Sequence, residues 1–400
     1  MIIGIDASRA NKENKTGTEW YAYNVLEEFK KIIPKEDQVI LYSKDKLRGD
    51  LSKLPNNFSN KILRWPPGFL WTQLRLSWEV FFHKPDVLFI PAHTIPLLSP
   101  KKTVTTLHDV GFEEFHELYS KKTIGPENFI INFIFGIAFR ILTLGKYKNN
   151  ELEYHRWSAR LALEKAKKVI TISDFSINEI KKHFNISGDK LVNVYNSYNP
   201  IFRKISDESE INKILQKYNI KDNFFLYIGR LEEKKNIPRL IEAFSIFKKE
   251  NFCDTKLVLV GAQGFGYDRV KSNIIKYNLE SEVIELGWID NIDLPYLVNA
   301  AKIFCFPSLY EGFGMPIIEA MVCGTPVITS DFGAMKEVAK DAALLVDSYN
   351  IKNIADGMSI IYNDNELSEK LVQKGFERVK SFSWEKTASM IKEVIYNVAK

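Results

Sequence analysis

Apolar residues come in short runs along this chain, and stretches of helical period separate them. The runs are "IIGID", "QVILYS", "DVLFIPA", "TVTTLHD", "KVITIS" and "KLVNVYNS", then "NFFLYIGR", "TKLVLVGA", "EVIELGW", "KIFCFPS", "TPVITSD" and "AALLVDS". Several are unbroken Val, Ile, Leu and Phe rather than alternating apolar and polar. That is what strands buried on both faces of a parallel sheet require. Segments between them, such as "NIPRLIEAFSIFKKE", carry the 3.6-residue period and predict βαβ crossovers. The polar sequence "PIFRKISDESEINK", near 200–213, follows the sixth run and reads as a linker between two sheets. A last helix, "SWEKTASMIKEVIYNV", opens with Ser383 as its cap and a Glu at about the third helical position. The expectation is an α/β protein of two Rossmann-like, doubly wound domains facing a cleft. In open α/β sheets, ligands bind at the carboxyl ends of the strands.

Composition narrows the partners. Apolar content of 45% and charged content of 26% suit a globular protein, and a net charge of +5 is too small to argue for nucleic acid. Residues 1–200 hold 29 Lys and Arg against 22 Asp and Glu, or +7; residues 201–400 hold 26 against 28, or −2. A basic first half suits an acidic partner or an anionic membrane, but simple scatter is the better account of it. Cys253, Cys305 and Cys323 lie in or beside apolar runs and share no metal-ligand spacing, and the six histidines are dispersed, so no metal site is expected. The opening "MIIGIDASRA" is a strand running into a loop. It has no basic leader and no cleavage site, so a cytoplasmic location is expected.

Candidate chemistry lies just after strands. In "SLYEGFGMPIIEAM", Glu311 stands in a loop, Gly312 and Gly314 allow a tight turn, and Pro316 suits the first turn of a helix in which Glu319 lies about one turn in. A helix N-terminus after a glycine loop is an anion site. Glu319 can accept hydrogen bonds from a diol, or it can merely favour the helix dipole. In "YIGRLEEKKNIPRLIEAF", Arg230 and Lys235 flank a strand–helix junction and can clamp a diphosphate, although such a charge run also describes a solvated face. Gly261 and Gly264 follow a strand in "LVLVGAQG". Gly17 opens a helix in "KTGTEWYAYNVLEEF". His108 ends the strand of "TVTTLHDVGF", where it is either a functional residue or an ordinary core or surface histidine.

Together these segments resemble the family-4 retaining glycosyltransferases of the two-domain GT-B fold. The resemblance rests on Glu311 and Glu319 within "EGFGMPIIEA", on "GRLEEKKN", "ISDFSINEI", "NSYNPIF" and "KTGTEWYAYN", and on the closing "SFSWEKTA"; it spans nearly the whole chain. It implies transfer of a sugar, of the mannosyl or glucosyl kind, from a nucleotide-sugar with retained configuration and no metal or other cofactor. It implies an N-terminal, acceptor-side domain over 1–200, a nucleotide-sugar domain over 201–382, and a crossover helix, 383–400, packing back on the first. By position, Arg230, Lys235, Gly17, Gly314 and Met315 hold the donor diphosphate, and Glu319 holds the ribose. Ile289, in "GWIDNIDL", contacts the base through backbone groups. Glu311 and His108 act at the transferred sugar, and Asp109, Phe313 and Thr18 contact donor sugar or acceptor. The acceptor is expected to be a lipid-linked or cell-surface glycan precursor. A nucleotide-sugar isomerase of the same fold, or a protein that only binds nucleotide-sugar, fits many of the same residues.

The chain departs from that pattern at about 124–148, where some twenty-five residues are interposed. The run "FIINFIFGIAFRILTL", residues 129–144, is apolar on every face except near Asn132 and Arg140. Sixteen residues fall short of the ~20 needed to span a bilayer. The segment must be covered by lipid, by its own domain or by a partner chain; a helix lying on a membrane, flanked by Lys146 and Lys148, would place the protein on the inner face of the cell membrane.

Overall fold

The computed structural model describes residues 1–65, 69–125, 128–221 and 223–400. Two compact units emerge: residues 1–196 with 384–400, and residues 197–383. Each is a parallel sheet covered by helices.

In the N-terminal unit the strands are β1 (Ile2–Asp6), β2 (Gln38–Ser43), β3 (Phe58–Ile62), β4 (Val87–Ile90), β5 (Thr103–Thr106), β6 (Lys168–Thr171) and β7 (Leu191–Asn193). Their order across the sheet is β3-β2-β1-β4-β5-β6-β7, all parallel. In the second unit they are β8 (Phe224–Ile228), β9 (Lys256–Val260), β10 (Val283–Gly287), β11 (Ile303–Phe306), β12 (Val327–Ser330) and β13 (Leu344–Val346), ordered β10-β9-β8-β11-β12-β13 and again parallel. The twelve apolar runs each supply one strand. In each sheet the chain builds outward from one strand, then returns to that strand's other side. The reversal falls between β1 and β4 in the first unit and between β8 and β11 in the second. Helices on either side of such a point leave the sheet in opposite directions, which opens a crevice at the strand ends.

Three expectations need correction. β3, "FSNKI", is a further strand: it lies at the sheet edge, its residues beyond Phe58 are largely exposed, and it lacks the apolar run that marks the others. The stretch read as a linker is only partly one, because Glu208–Lys217 is a helix capped by Asp207, whose carboxylate accepts from the Ser209 and Glu210 N–H groups. In the last helix, Trp384–Ala399, the acidic residue is Glu385, at the second helical position. That helix packs on Gly17–Ile32: Trp384 meets Tyr21 edge-on at 6.2 Å, Lys392 Nζ reaches the Ile32 carbonyl at 3.3 Å, and the Thr387 hydroxyl donates to the Tyr195 carbonyl at 2.6 Å.

The interposed segment forms a helix, Phe129–Leu142, and a pinched base closes it: Thr123 pairs antiparallel with Asn150, and the Glu151 N–H donates to the Lys122 carbonyl at 3.0 Å. Residues 126 and 127 lie outside the described residues. The helix is not apolar on all sides without cover. Phe135 and Phe139 are buried against Phe69, Tyr154 and Trp157 of its own unit, with ring centres 4.8 Å apart for Phe69–Phe135 and 5.4 Å for Phe139–Trp157. Phe133, Ile137, Ile141 and Leu144 remain exposed on another side. Among the described residues no helix is long and apolar enough to cross a membrane.

Candidate functional site

At the reversal point of the second unit, glycines bring strand ends together. Gly229 (φ 153°) follows β8 and Gly261 (φ 141°) follows β9; a Cβ on Gly261 would lie 2.0 Å from the Gly229 carbonyl oxygen, so no side chain fits. The Gly229 N–H donates to Val260 at 2.9 Å and the Gly261 N–H to Gly287 at 2.8 Å, which ties the ends of β8, β9 and β10. Arg230 leaves the sheet at this knot, its side chain largely in solvent and 3.6 Å from Glu232.

Lys235 is held more tightly. The next residue, Asn236, takes the left-handed conformation and starts the helix Ile237–Asn251; its side-chain amide donates to the Pro307 carbonyl at 3.0 Å and the Ser348 carbonyl at 2.7 Å. That clamp fixes the loop after β8 to the loop after β11. Lys235 is only 16% exposed, and its Nζ lies 2.5 Å from Glu311 Oε1 and 5.8 Å from the centre of the Phe306 ring. The reading of "RLEEKK" as a solvated face therefore holds for Arg230 and fails for Lys235. The separate partners expected for Lys235 and Glu311 are here each other.

Gly314 (φ 98°) caps the helix Met315–Cys323, whose N-terminus stands beside the β8–β11 crevice. Glu319 is its fifth residue, beyond the first turn, so the helix dipole does not account for it. The carboxyl keeps some accessible surface but is enclosed by protein, and this burial pushes it up to about 7 against the opposing hydrogen bond from the Asn199 N–H at 3.3 Å. A carboxylate in such a place is short of donors, and a pair of hydroxyls would supply two. Phe313 and Ile289 are buried; Phe313 packs edge-on against Phe382 at 5.6 Å. They and the nearly buried Met315 can offer a ligand chiefly their backbone. Ile289 follows β10, two strands from β8.

The remaining candidates belong to the first unit. His108 lies two residues past β5, with its ring edge-on to Tyr21 at 4.8 Å. Its Nε2 is buried without a hydrogen-bond partner. Burial pushes its pKa down to about 4, against Asp109 and the Pro91 backbone, so the ring is neutral at pH 7 and its free nitrogen accepts. Asp109 Oδ1 accepts from the Gly111 N–H at 3.1 Å and the Tyr119 hydroxyl at 3.5 Å. Gly17 and Thr18 form the first turn of Gly17–Ile32. A Cβ on Gly17 would meet no atom within 4 Å, so the fold leaves open space over this helix start.

Sequence reasoning missed Glu19. It is buried, and the Thr16 backbone N–H (3.2 Å) and hydroxyl both donate to it. Arg9 lies 3.3 Å away and Lys12 3.5 Å. Burial opposes its charge, yet Thr16, Arg9 and Lys12 together hold the carboxyl below its usual range. The Thr16-x-x-Glu19 spacing is the signal that could have found it. Among the described residues, the side chains close enough to share a cation are Glu114, Glu179 and His183, but the Lys182 ammonium already pairs with Glu114 there.

Residues 210–378 match the family model described as glycosyl transferases group 1. The chain is 34% identical over 247 residues to O-antigen chain mannosyltransferase B of Escherichia coli; the match covers 61% of this chain and 65% of that protein, a little under two-thirds of its length. It is 26% identical over 361 residues to an O-antigen chain mannosyltransferase of Salmonella typhimurium, covering 87% of this chain and 86% of the relative. Among solved structures, sucrose-phosphate synthase from Thermosynechococcus elongatus superposes with a TM-score of 0.73 at 19% identity, over 99% of this chain and 98% of that one. The fold is thus two parallel-sheet units of the GT-B kind, and the segment similar to the glycosyl transferases of group 1 fills most of the second unit.

Proposed function

We propose that this chain moves a sugar from a nucleoside-diphosphate sugar to a hydroxyl of a glycan acceptor, with retained configuration and no metal ion. The observation that carries this reading is the Lys235–Glu311 pair at the β8–β11 reversal, beside Arg230 and the N-terminus of Met315–Cys323. A departing nucleoside diphosphate gathers negative charge, and Arg230, Lys235, Gly314 and Met315 of the second unit would stabilise it where it forms; Gly17 is the first unit's own candidate for an anion. Glu319 takes the ribose hydroxyls, and backbone near Ile289 takes the base. Lys235 fixes one oxygen of Glu311 and leaves the other for a hydroxyl of the donor sugar. Phe313 lines that sugar within the second unit; in the first unit His108, neutral and with a free acceptor nitrogen, is the candidate for a sugar hydroxyl, with Asp109 and Thr18 as its companions at the acceptor. In the step, the bond from the anomeric carbon to the phosphate oxygen breaks, the acceptor oxygen attacks from the same face, and its proton passes to the phosphate oxygen.

The names of the relatives support a mannosyl donor and an O-antigen-like acceptor. We propose further that the exposed side of Phe129–Leu142 rests on a membrane. Phe133, Ile137 and Ile141 are 63%, 48% and 71% exposed, and the exposed cations Arg140, Lys146 and Lys148 flank them. Apolar side chains beside cations suit the boundary of an anionic bilayer. The test is to incubate the protein with labelled nucleotide-sugars, with and without a lipid-linked acceptor. Acceptor-dependent release of nucleoside diphosphate is expected. Interconversion of free donor, or binding without turnover, would overturn the transferase reading.

A further inference from the structure

The first unit holds a pocket of about 430 Å³ that none of the roles above uses. It lies at that sheet's own reversal point. Arg9 follows β1, Lys44 and Arg48 follow β2, Thr94 follows β4, and Gln73 comes from the π-helical turn Trp71–Leu76. Asp6, buried at the end of β1, joins the walls by accepting from the Ser8 N–H at 2.8 Å and the Thr72 hydroxyl at 3.3 Å. The volume suits one sugar unit with a charged substituent.

Its chemistry has two parts. Gln73 is 1% exposed and Thr94 is 7% exposed. The Gln73 amide nitrogen donates to the Tyr154 hydroxyl at 2.6 Å, but its Oε1 has no partner, nor has the Thr94 hydroxyl. Unmet acceptors in a buried floor ask for O–H donors. The other wall is cationic. Arg9 and Lys12 share one carboxylate, Glu19, and Arg48 pairs with Glu13 at 3.1 Å. Lys44 sits among them: burial lowers its pKa, Asp6 and Asp45 raise it, and Arg9 and Lys12 lower it. Four cations, Arg9, Lys12, Lys44 and Arg48, meet Glu13 and Asp45 in the lining and Glu19 and Asp6 just behind it, and burial disfavours the charge of Asp6. The Arg9 and Arg48 guanidiniums and the Lys44 ammonium supply the charged N–H donors that a phosphate takes.

We infer that this pocket binds a phosphorylated sugar of the acceptor, with sugar hydroxyls on Gln73 and Thr94 and the phosphate or diphosphate on Lys44, Arg9 and Arg48. The inference rests on the transferase reading for the word acceptor, but the binding itself is measurable alone. The full chain is first saturated with whichever of GDP, UDP, ADP or dTDP raises its melting temperature, so that the donor site is filled. A hexose 1-phosphate, the corresponding methyl hexoside and a short-chain prenyl-diphosphate hexose are then titrated by calorimetry.

The hexose 1-phosphate should bind at least ten-fold more tightly than the methyl hexoside. Lys44→Met should remove that difference, Lys44→Arg should keep it, and Thr94→Val should weaken phosphorylated and plain sugar alike. A prenyl-diphosphate ligand tighter than the hexose phosphate makes the source a lipid-linked diphosphate; equal or weaker binding makes it a sugar phosphate within the glycan. Equal affinity for the methyl hexoside and the hexose 1-phosphate, or wild-type binding by Lys44→Met, would overturn the proposal. No response to any nucleoside diphosphate would sink the transferase reading and leave the pocket titration to be read by itself.

Discussion

At Glu319 the fold encloses a carboxyl that burial favours in its protonated form, at a pKa of about 7. The unfolded chain ionises the same group near its ordinary value of about 4.3. Because the folded pKa is the higher one, the group's contribution to stability is fully present below the unfolded pKa and is lost as pH rises through 7. The loss is on the order of 3 kcal/mol at 1.36 kcal/mol per unit. Melting temperatures of the free protein should therefore fall as pH rises from about 4.3 to about 7 and level off above that, and those of Glu319→Gln should fall less, while the variant binds nucleoside diphosphate more weakly. Parallel curves for the two proteins would refute this account of Glu319. The two cations should also differ. Arg230 is largely exposed, so Arg230→Ala should weaken nucleoside-diphosphate binding roughly ten-fold, from a contact of about 1.5 kcal/mol, and leave the melting temperature unchanged. Lys235→Ala strands Glu311 without its cation, so it should lower both binding and melting temperature. Adding Glu311→Gln should restore stability but not binding. Full diphosphate affinity in either single variant would remove that residue from the clamp.

The elements were legible in proportion to their burial. Each apolar run became a strand because a parallel sheet covered by helices leaves no face for polar alternation. β3 escaped because an edge strand pairs on one side only and needs no such run. The helix Phe129–Leu142 was legible as apolar and not as two-sided, since the residues that cover Phe135 and Phe139 come from as far away as Phe69 and Trp157. Its two sides make separable predictions. Changing Phe133, Ile137 and Ile141 together to Ser should leave melting almost unchanged, because those side chains are exposed, and should abolish sedimentation with anionic vesicles. Phe139→Ala should cost about 3–5 kcal/mol of stability by leaving a cavity against Trp157. Undiminished vesicle binding by the triple variant would end the membrane proposal. Excising 124–148 rejoins ends that Thr123 and Asn150 already hold together, yet it uncovers Trp157, so a folded but less stable protein is expected.

For the whole molecule, the sequence located candidates at strand ends but not their pairings, which depend on contacts between distant positions. Lys235 and Glu311 are 76 residues apart, and Gln73 and Tyr154 are 81 apart; a local pattern does not encode such distances. The same non-local organisation returns the last helix to the first unit. Trp384–Ala399 buries Trp384, Ile391 and Ile395, and it anchors through Tyr396 to Asp37, which also holds the N-terminal ammonium at 2.7 Å. Burying each large apolar side chain stabilises by about 1.5–3 kcal/mol, so removing 384–400 should cost the first unit several kcal/mol. The group 1 segment, 210–378, contains none of those residues. A ligand that binds only a folded unit raises the melting of that unit. Calorimetry of the truncated chain should therefore show one transition lowered or lost and another still raised by nucleoside diphosphate. If both transitions fall together, or the nucleotide no longer shifts either, then 197–383 does not hold the nucleotide as an independent unit and the division of labour proposed here is wrong.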